Sequence, residues 1–277
     1  MKNTFSRSSF IKSIGFGAVT LNLSNSISEN TVKSKHNLKV GLASYTMREY
    51  SLDDIIKYAK QLNLNHIVLK SMHLPLNSSA ETIKEVAKKV RDAGLNFYGA
   101  GVIYMKSEAE VNQAFSYAQN AGIQMIVGVP NHELLPMVEK KVKETGIKLA
   151  IHNHGPGDKV YPTPETVYEH IKNLDKNIGL CMDIGHVIRL GLDPVKNLLK
   201  YGHRLFDMHL KDINKVAEDG SSVEIGRGVI DIPGVFKALQ KVKYDGVMSI
   251  EYEKDGKNAI IGLSESVGYV NGILKMI

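Results

Sequence analysis

Four short apolar runs in the second half of the chain each end in residues able to bind a metal ion. They are Leu149-Ala-Ile-His152-Asn-His154, Gly179-Leu-Cys-Met-Asp183-Ile-Gly-His186, Phe206-Asp-Met-His209-Leu-Lys211-Asp212 and Val247-Met-Ser-Ile-Glu251-Tyr-Glu253. A buried strand has no use for charge, because desolvating an unpaired carboxylate costs several kcal/mol or shifts its pKa until it neutralises. Four such endings therefore point to one shared site fed by successive strands. His152, Asp183, His209 and Glu251 make a set of two imidazoles and two carboxylates. Mixed nitrogen and oxygen donors suit one divalent ion of Mn, Co, Zn or Fe better than Mg or Ca, which prefer shells of oxygen.

The elements that must carry these residues alternate without a break from Lys39 onward. The strand candidates are Lys39–Met47, His66–Ser71, Asn96–Ile103, Met125–Pro130, Lys148–His154, Ile178–Asp183, Leu205–Lys211 and Gly246–Glu253. Between them apolar residues recur at helical spacing, as in Leu52, Ile55, Ile56 and Ala59, in Val111, Ala114, Phe115 and Ala118, and in Val235, Ala238, Leu239 and Val242. Gly94, Gly122, Gly146 and Gly202 follow the helical stretches, where a left-handed residue would close the last turn. Eight strand–helix units in about 240 residues is the arithmetic of a (β/α)8 TIM barrel, an α/β fold. A doubly wound sheet often opens with a glycine-rich turn, and Ser44-Tyr45-Thr46-Met47 has no glycine. In a barrel the site lies at the C-terminal strand ends, where the four clusters fall. Alternation puts His152 with His154, His209 with Lys211, and Glu251 with Glu253 on common faces.

The body of the chain, residues 39–277, resembles the sugar phosphate isomerase/epimerase superfamily, the xylose isomerase-like TIM barrels that also include endonuclease IV. The motifs carrying the resemblance are Cys181-Met-Asp183-Ile-Gly-His186, His209-Leu-Lys211-Asp212, Glu224-Ile-Gly-Arg227-Gly-Val-Ile-Asp231-Ile-Pro and Tyr244-Asp-Gly-Val-Met-Ser-Ile-Glu251-Tyr-Glu253. It implies that Asp183, His209 and Glu251 are metal ligands and that His186, Lys211 and Arg227 bind a sugar. One departure matters. Sugar epimerases of this family carry a glutamate at the end of the fifth strand, as ligand and base, where this chain has His152. The His-x-His form is similar to the inosose dehydratase branch.

These residues support a metal-dependent isomerase or epimerase acting on a small sugar, polyol or keto-sugar. The alternative is a keto-sugar or keto-inositol lyase or dehydratase working by β-elimination. With imidazole at position 152, proton removal falls to another group, and His154, Glu251 and Lys211 are the candidates in that order. A positioned imidazole is a common general base near neutral pH. An endonuclease-like repair enzyme and a non-catalytic sugar-binding barrel are the further classes.

Net charge argues against nucleic acid as a partner. The chain carries 35 basic and 29 acidic residues, a net +6, but residues 1–38 hold five basic residues against Glu29, so that 5 − 1 = +4 and the body keeps 6 − 4 = +2. Phosphate recognition calls for a strongly basic face. Nor does the sequence after Asp212 supply the further histidines of a three-metal site. No run of 18 apolar residues is present to span a membrane. The single cysteine, Cys181, excludes an intramolecular disulfide and reads as a packed core thiol. The expected partner is a small-molecule carbohydrate, and a homo-oligomer stays open.

Residues 1–35 read differently. Lys2, Arg7 and Lys12 precede a weakly apolar stretch, Ile14 to Leu23, and a Ser/Asn-rich segment follows to Asn30. That is the order of a secretory signal. Ser6-Arg7-Ser8-Ser9-Phe10-Ile11-Lys12 resembles a twin-arginine export motif with Ser8 in place of the second arginine, and no clear Ala-x-Ala cleavage site follows. The expectation is a signal-like or disordered segment before a barrel over residues 36–277, with a periplasmic or otherwise exported location; cytoplasmic is the alternative. A chain starting near Lys35 should accordingly melt as cooperatively as the full chain in a calorimeter. A fall of many degrees would show that the segment packs on the barrel.

Overall fold

Strands with no polar face must be covered on both sides, and the fourth and sixth strand segments, Met125–Pro130 and Ile178–Asp183, are buried at every residue. The computed structural model describes residues 37–277, so the signal-like segment lies outside the described residues. Eight parallel strands close a barrel: β1 (Lys39–Ala43), β2 (His66–Leu69), β3 (Asn96–Met105), β4 (Met125–Pro130), β5 (Lys148–His152), β6 (Ile178–Asp183), β7 (Leu205–Leu210) and β10 (Val247–Ile250). Between β7 and β10 a small antiparallel pair, β8 (Asp212–Ile213) and β9 (Ser222–Val223), forms a separate sheet. The helices are α1 (Leu52–Gln61), α2 (Ala80–Asp92), α3 (Glu108–Ala121), α4 (Leu135–Thr145), α5 (Pro164–Ile171), α6 (Ile184–Arg189), α7 (Pro194–Tyr201), α8 (Ile232–Lys241) and α9 (Ala259–Met276).

The helices start where the sequence supplies a cap. Ser51, Ser79, Ser107 and Thr163 each accept a hydrogen bond from the first turn of α1, α2, α3 and α5. Val111, Ala114, Phe115 and Ala118 are buried on one face of α3, as their spacing predicts. Gly94, Gly122 and Gly146 have positive φ and end their helices as expected. Gly202 does not. Its φ is −58°, within a 3-10 turn, and a Cβ there would lie 2.8 Å from Val242. Glycine at 202 serves close packing rather than a left-handed turn.

Several strands are shorter than their sequence pattern predicts. β1 gives way to a 3-10 turn at Ser44, β5 ends at His152, and β10 ends at Ile250. His154, Lys211 and Glu251 therefore stand just beyond their strands, on the rim. The core has two parts. Helices pack on the outside of the sheet, while Val68, Tyr98, Met125, Val127, Ala150, Cys181 and Val247, drawn from six strands, fill the inside.

The segment after β7 is hung on one carboxylate. Asp212 is fully buried, and its Oδ1 accepts from the N–H groups of Ile213 at 2.9 Å and Ile230 at 3.1 Å. Its Oδ2 accepts from Gly226 and Gly228, both at 3.0 Å. Bonds to a charged acceptor are the stronger kind, and a buried N–H left without one is costly. Asp212→Ala is expected to lower the unfolding free energy by about 3 kcal/mol or more, read as a shift in the urea midpoint, with Asp212→Asn falling between it and the parent.

Candidate metal centre

The four expected ligands come from consecutive barrel strands, because β5, β6, β7 and β10 are hydrogen-bonded neighbours in that order. Parallel register sets Asp183 beside His209. Glu251, one residue past β10, donates its N–H to Leu210 at 3.0 Å and so stays level with them. His152, Asp183, His209 and Glu251 are all buried. Asp183 Oδ2 lies 3.5 Å from His152 Nε2 and 3.6 Å from His209 Nδ1, and Glu251 Oε2 lies 3.1 Å from His209 Nδ1.

Asp183 is held from two directions. It caps α6 through Oδ1, which accepts from His186 N–H at 2.9 Å, and this turns Oδ2 towards the cluster. Buried Asn153 brackets its backbone, accepting from Asp183 N–H at 3.0 Å and donating to its carbonyl at 3.2 Å. The residue between the two histidines of His-x-His is thus a fastener for the neighbouring strand. His186, expected to bind sugar, brings Nε2 to 3.7 Å from Asp183 Oδ2 and joins His152 and Asp183 as a further donor group.

These residues fit a divalent cation. Asp183 Oδ2 and the ring nitrogens of His152 and His209 are enclosed and have no hydrogen-bond partner. Buried polar atoms are rarely left so, and here they converge as a mixed nitrogen and oxygen set suited to a transition metal. Lys211 shares the charge. Its Nζ donates to Glu251 Oε2 at 2.6 Å and Glu253 Oε1 at 2.7 Å, and it lies 2.9 Å from Asp183 Oδ2 outside hydrogen-bond alignment. Asp183, Glu251 and Glu253 are therefore its partners. α6 passes so near that a Cβ at Gly185 would collide with the Lys211 side chain.

Burial alone would raise the carboxyl groups, yet the surrounding Lys211 ammonium and imidazoles hold Asp183 and Glu251 well below the usual range. Burial brings His152 down to about 4 and His186 to about 3, so both offer free lone pairs at neutral pH. Burial also opposes charge on His209, but the Cys181 sulfur and the Glu251 and Asp183 carboxylates outweigh it and hold that ring well above its ordinary value. Glu253 is pushed up, chiefly by burial.

His154 stands at the rim. Its Nδ1 lies 3.2 Å from the Tyr104 hydroxyl and 3.5 Å from Asp158 Oδ2. A carboxylate can only accept, so Asp158 favours the tautomer with the proton on Nδ1 and leaves Nε2 as a proton acceptor. A cleft of about 470 Å³ opens beside the cluster, with His186, Arg189, Lys211, Ser222 and Glu253 among its walls. Arg227 is not among them; it is exposed and pairs with Glu265 on α9. Lys70, absent from the sequence-based candidates, follows β2. It donates to the Val102 carbonyl at 3.1 Å, and Glu251 and Glu253 partly offset the burial that lowers its pKa. No motif marks Lys70 or Tyr104; only the position just past or at a strand end could have found them.

Residues 106–270 match the profile of the xylose isomerase-like TIM barrel family. An inosose dehydratase of Clostridium botulinum is 33% identical over 129 residues, 40% of this chain and 42% of the relative. The chain thus spans about two fifths of the length of the curated relatives it matches. Among solved structures, the IOLI protein with a binding zinc atom superposes with a TM-score of 0.72 at 17% identity, covering 86% of this chain and 99% of that one. An L-ribulose 3-epimerase gives a TM-score of 0.70 at 15% identity, covering 86% and 95%. At these identities the structures speak for the fold. Among the described residues no helix is long and apolar enough to cross a membrane.

Protein purified without chelator should carry about one divalent ion per chain by elemental analysis, and Asp183→Ala or Glu251→Ala should lose it. With His209 held protonated, uptake must displace that proton. Below the raised His209 pKa, apparent affinity should therefore increase with pH, and calorimetry in buffers of different ionisation enthalpy should report about one proton released.

Proposed function

The chain belongs to the xylose isomerase-like TIM barrel family, and from that premise we propose that it is a divalent-metal-dependent lyase removing water, or another β-oxygen leaving group, from a small keto-sugar or keto-inositol. The observation that carries this reading is the end of β5, where the buried residue is an imidazole, His152, and not a carboxylate. The likeness to an inosose dehydratase supports it.

A cation held by His152, Asp183, His209 and Glu251 would polarise the keto oxygen and acidify the adjoining C–H. His154 is the base: Asp158 and Tyr104 hold its Nδ1, and Nε2 takes the α-proton. The released electron pair forms the α,β double bond as the β C–O bond breaks, and the proton on His154 passes to the departing oxygen. Water is the by-product when that oxygen belongs to a hydroxyl. Lys211, fixed by Glu251 and Glu253, presents positive charge to the oxygen on which negative charge develops. The polar walls of the cleft suit a hydroxylated substrate.

Glu251 favours a second reading, isomerisation or epimerisation, since its carboxylate faces the cluster and could exchange an α-proton. Incubating the metal-loaded enzyme with keto-sugars and inosose in D₂O separates the two. The lyase reading expects an unsaturated product absorbing in the ultraviolet, with kcat reduced by about 10²–10⁴ in His154→Ala. Deuterium at the α-carbon with every hydroxyl retained would overturn it in favour of the isomerase.

A further inference from the structure

Deeper in the barrel, below the metal cluster, lies a second set of buried polar groups that the proposed reaction does not use. Cys181 on β6 and Asp207 on β7 are register partners, and Ser249 on β10 is level with His209. Asp207 Oδ1 accepts from the Tyr98 hydroxyl at 3.0 Å, and its Oδ2 accepts from the Cys181 thiol at 3.8 Å. Tyr98 and Ser249 share a hydrogen bond; with the phenol proton committed to Asp207, Ser249 must be its donor. The surroundings at this level are Val68, Met125, Val127, Ala150 and Val247. A carboxylate placed among them is costly, and an aliphatic side chain would pack without that cost.

The cluster touches the metal site at His209. One of its ring nitrogens, the Cys181 sulfur and an Asp207 oxygen all lie within 4.8 Å of one another. Nδ1 faces Glu251 and Asp183, so Nε2 is the nitrogen left for the lower cluster, and it is enclosed and without a hydrogen-bond partner. An imidazole that binds metal through one nitrogen must carry its proton on the other, and the group receiving that proton fixes tautomer and ring angle.

We infer that Cys181 and Asp207 are positioning residues for His209: the Cys181 sulfur receives the Nε2 proton of His209, Asp207 receives the thiol proton, and Nδ1 is thereby held with its lone pair towards the cation. The chain Ser249–Tyr98–Asp207–Cys181–His209 then has every proton pointed towards Asp207, from both ends. A sulfur acceptor is weaker than the usual carboxylate or carbonyl, and Asp207 compensates by placing negative charge behind it. The inference rests on the metal reading of the site.

The test is titration of the chelator-stripped full chain with Zn²⁺, with the His209 ring followed by ¹⁵N NMR. Wild type should bind through Nδ1 with a slowly exchanging Nε2–H. Cys181→Ala and Asp207→Leu should weaken binding about 10–100-fold and speed exchange of that proton, while the melting temperature of the metal-free Cys181→Ala chain stays close to wild type. Cys181→Ser and Asp207→Asn, which keep an acceptor in place, should stay within a few-fold of wild type. Wild-type affinity and an unchanged His209 spectrum in Cys181→Ala would overturn the inference and leave the metal site standing. Failure of the wild type to bind Zn²⁺ would instead bring down the metal reading, and this inference with it.

Discussion

Two carboxylates shut away from water, Asp183 and Glu251, impose the terms on which the rest of this barrel is built. Each would neutralise if left alone at that depth. Lys211 meets both and Glu253 as well, so one ammonium answers three negative groups and the local sum is still negative. His209 adds positive charge, but only by holding a proton that a metal would displace. The cluster therefore has unspent affinity for a cation.

That requirement reaches outwards through the backbone. α6 must begin at Asp183, because its first turn supplies the N–H that fixes one carboxylate oxygen and frees the other. Residue 185 must be glycine for α6 to clear Lys211. Asn153 must lie between the two histidines to tie β5 to β6. Each of these looks like a detail of packing, yet each fixes where a charge sits.

The clustering of the candidate ligands was legible in the sequence because a charged or imidazole side chain closing a buried apolar run has few explanations. The eight-fold alternation was legible for the same reason: apolar period and glycine punctuation are local signals. What escaped was set by long-range contact. Lys70 ends an ordinary strand, and only barrel closure carries it towards Glu251. Arg227 sits in a motif beside the pocket in sequence, but Glu265 on the last helix, 38 residues on, draws it to the surface. Asp212 reads as part of a ligand-bearing cluster and proves to be a backbone anchor. Gly202 has the look of a helix stop and is a packing contact with Val242.

The anchoring of residues 212–231 separates two jobs that share a cleft. Asp219, Gly220, Ser221 and Ser222 form one wall of that cleft, on a segment tied back through Asp212 and the β8–β9 pairing. None of them is itself one of the cation donors. The wall can thus be rewritten in length and composition while the charged cluster beneath stays intact, which makes this segment the natural place for substrate range to diverge between related chains, or to be grafted by design.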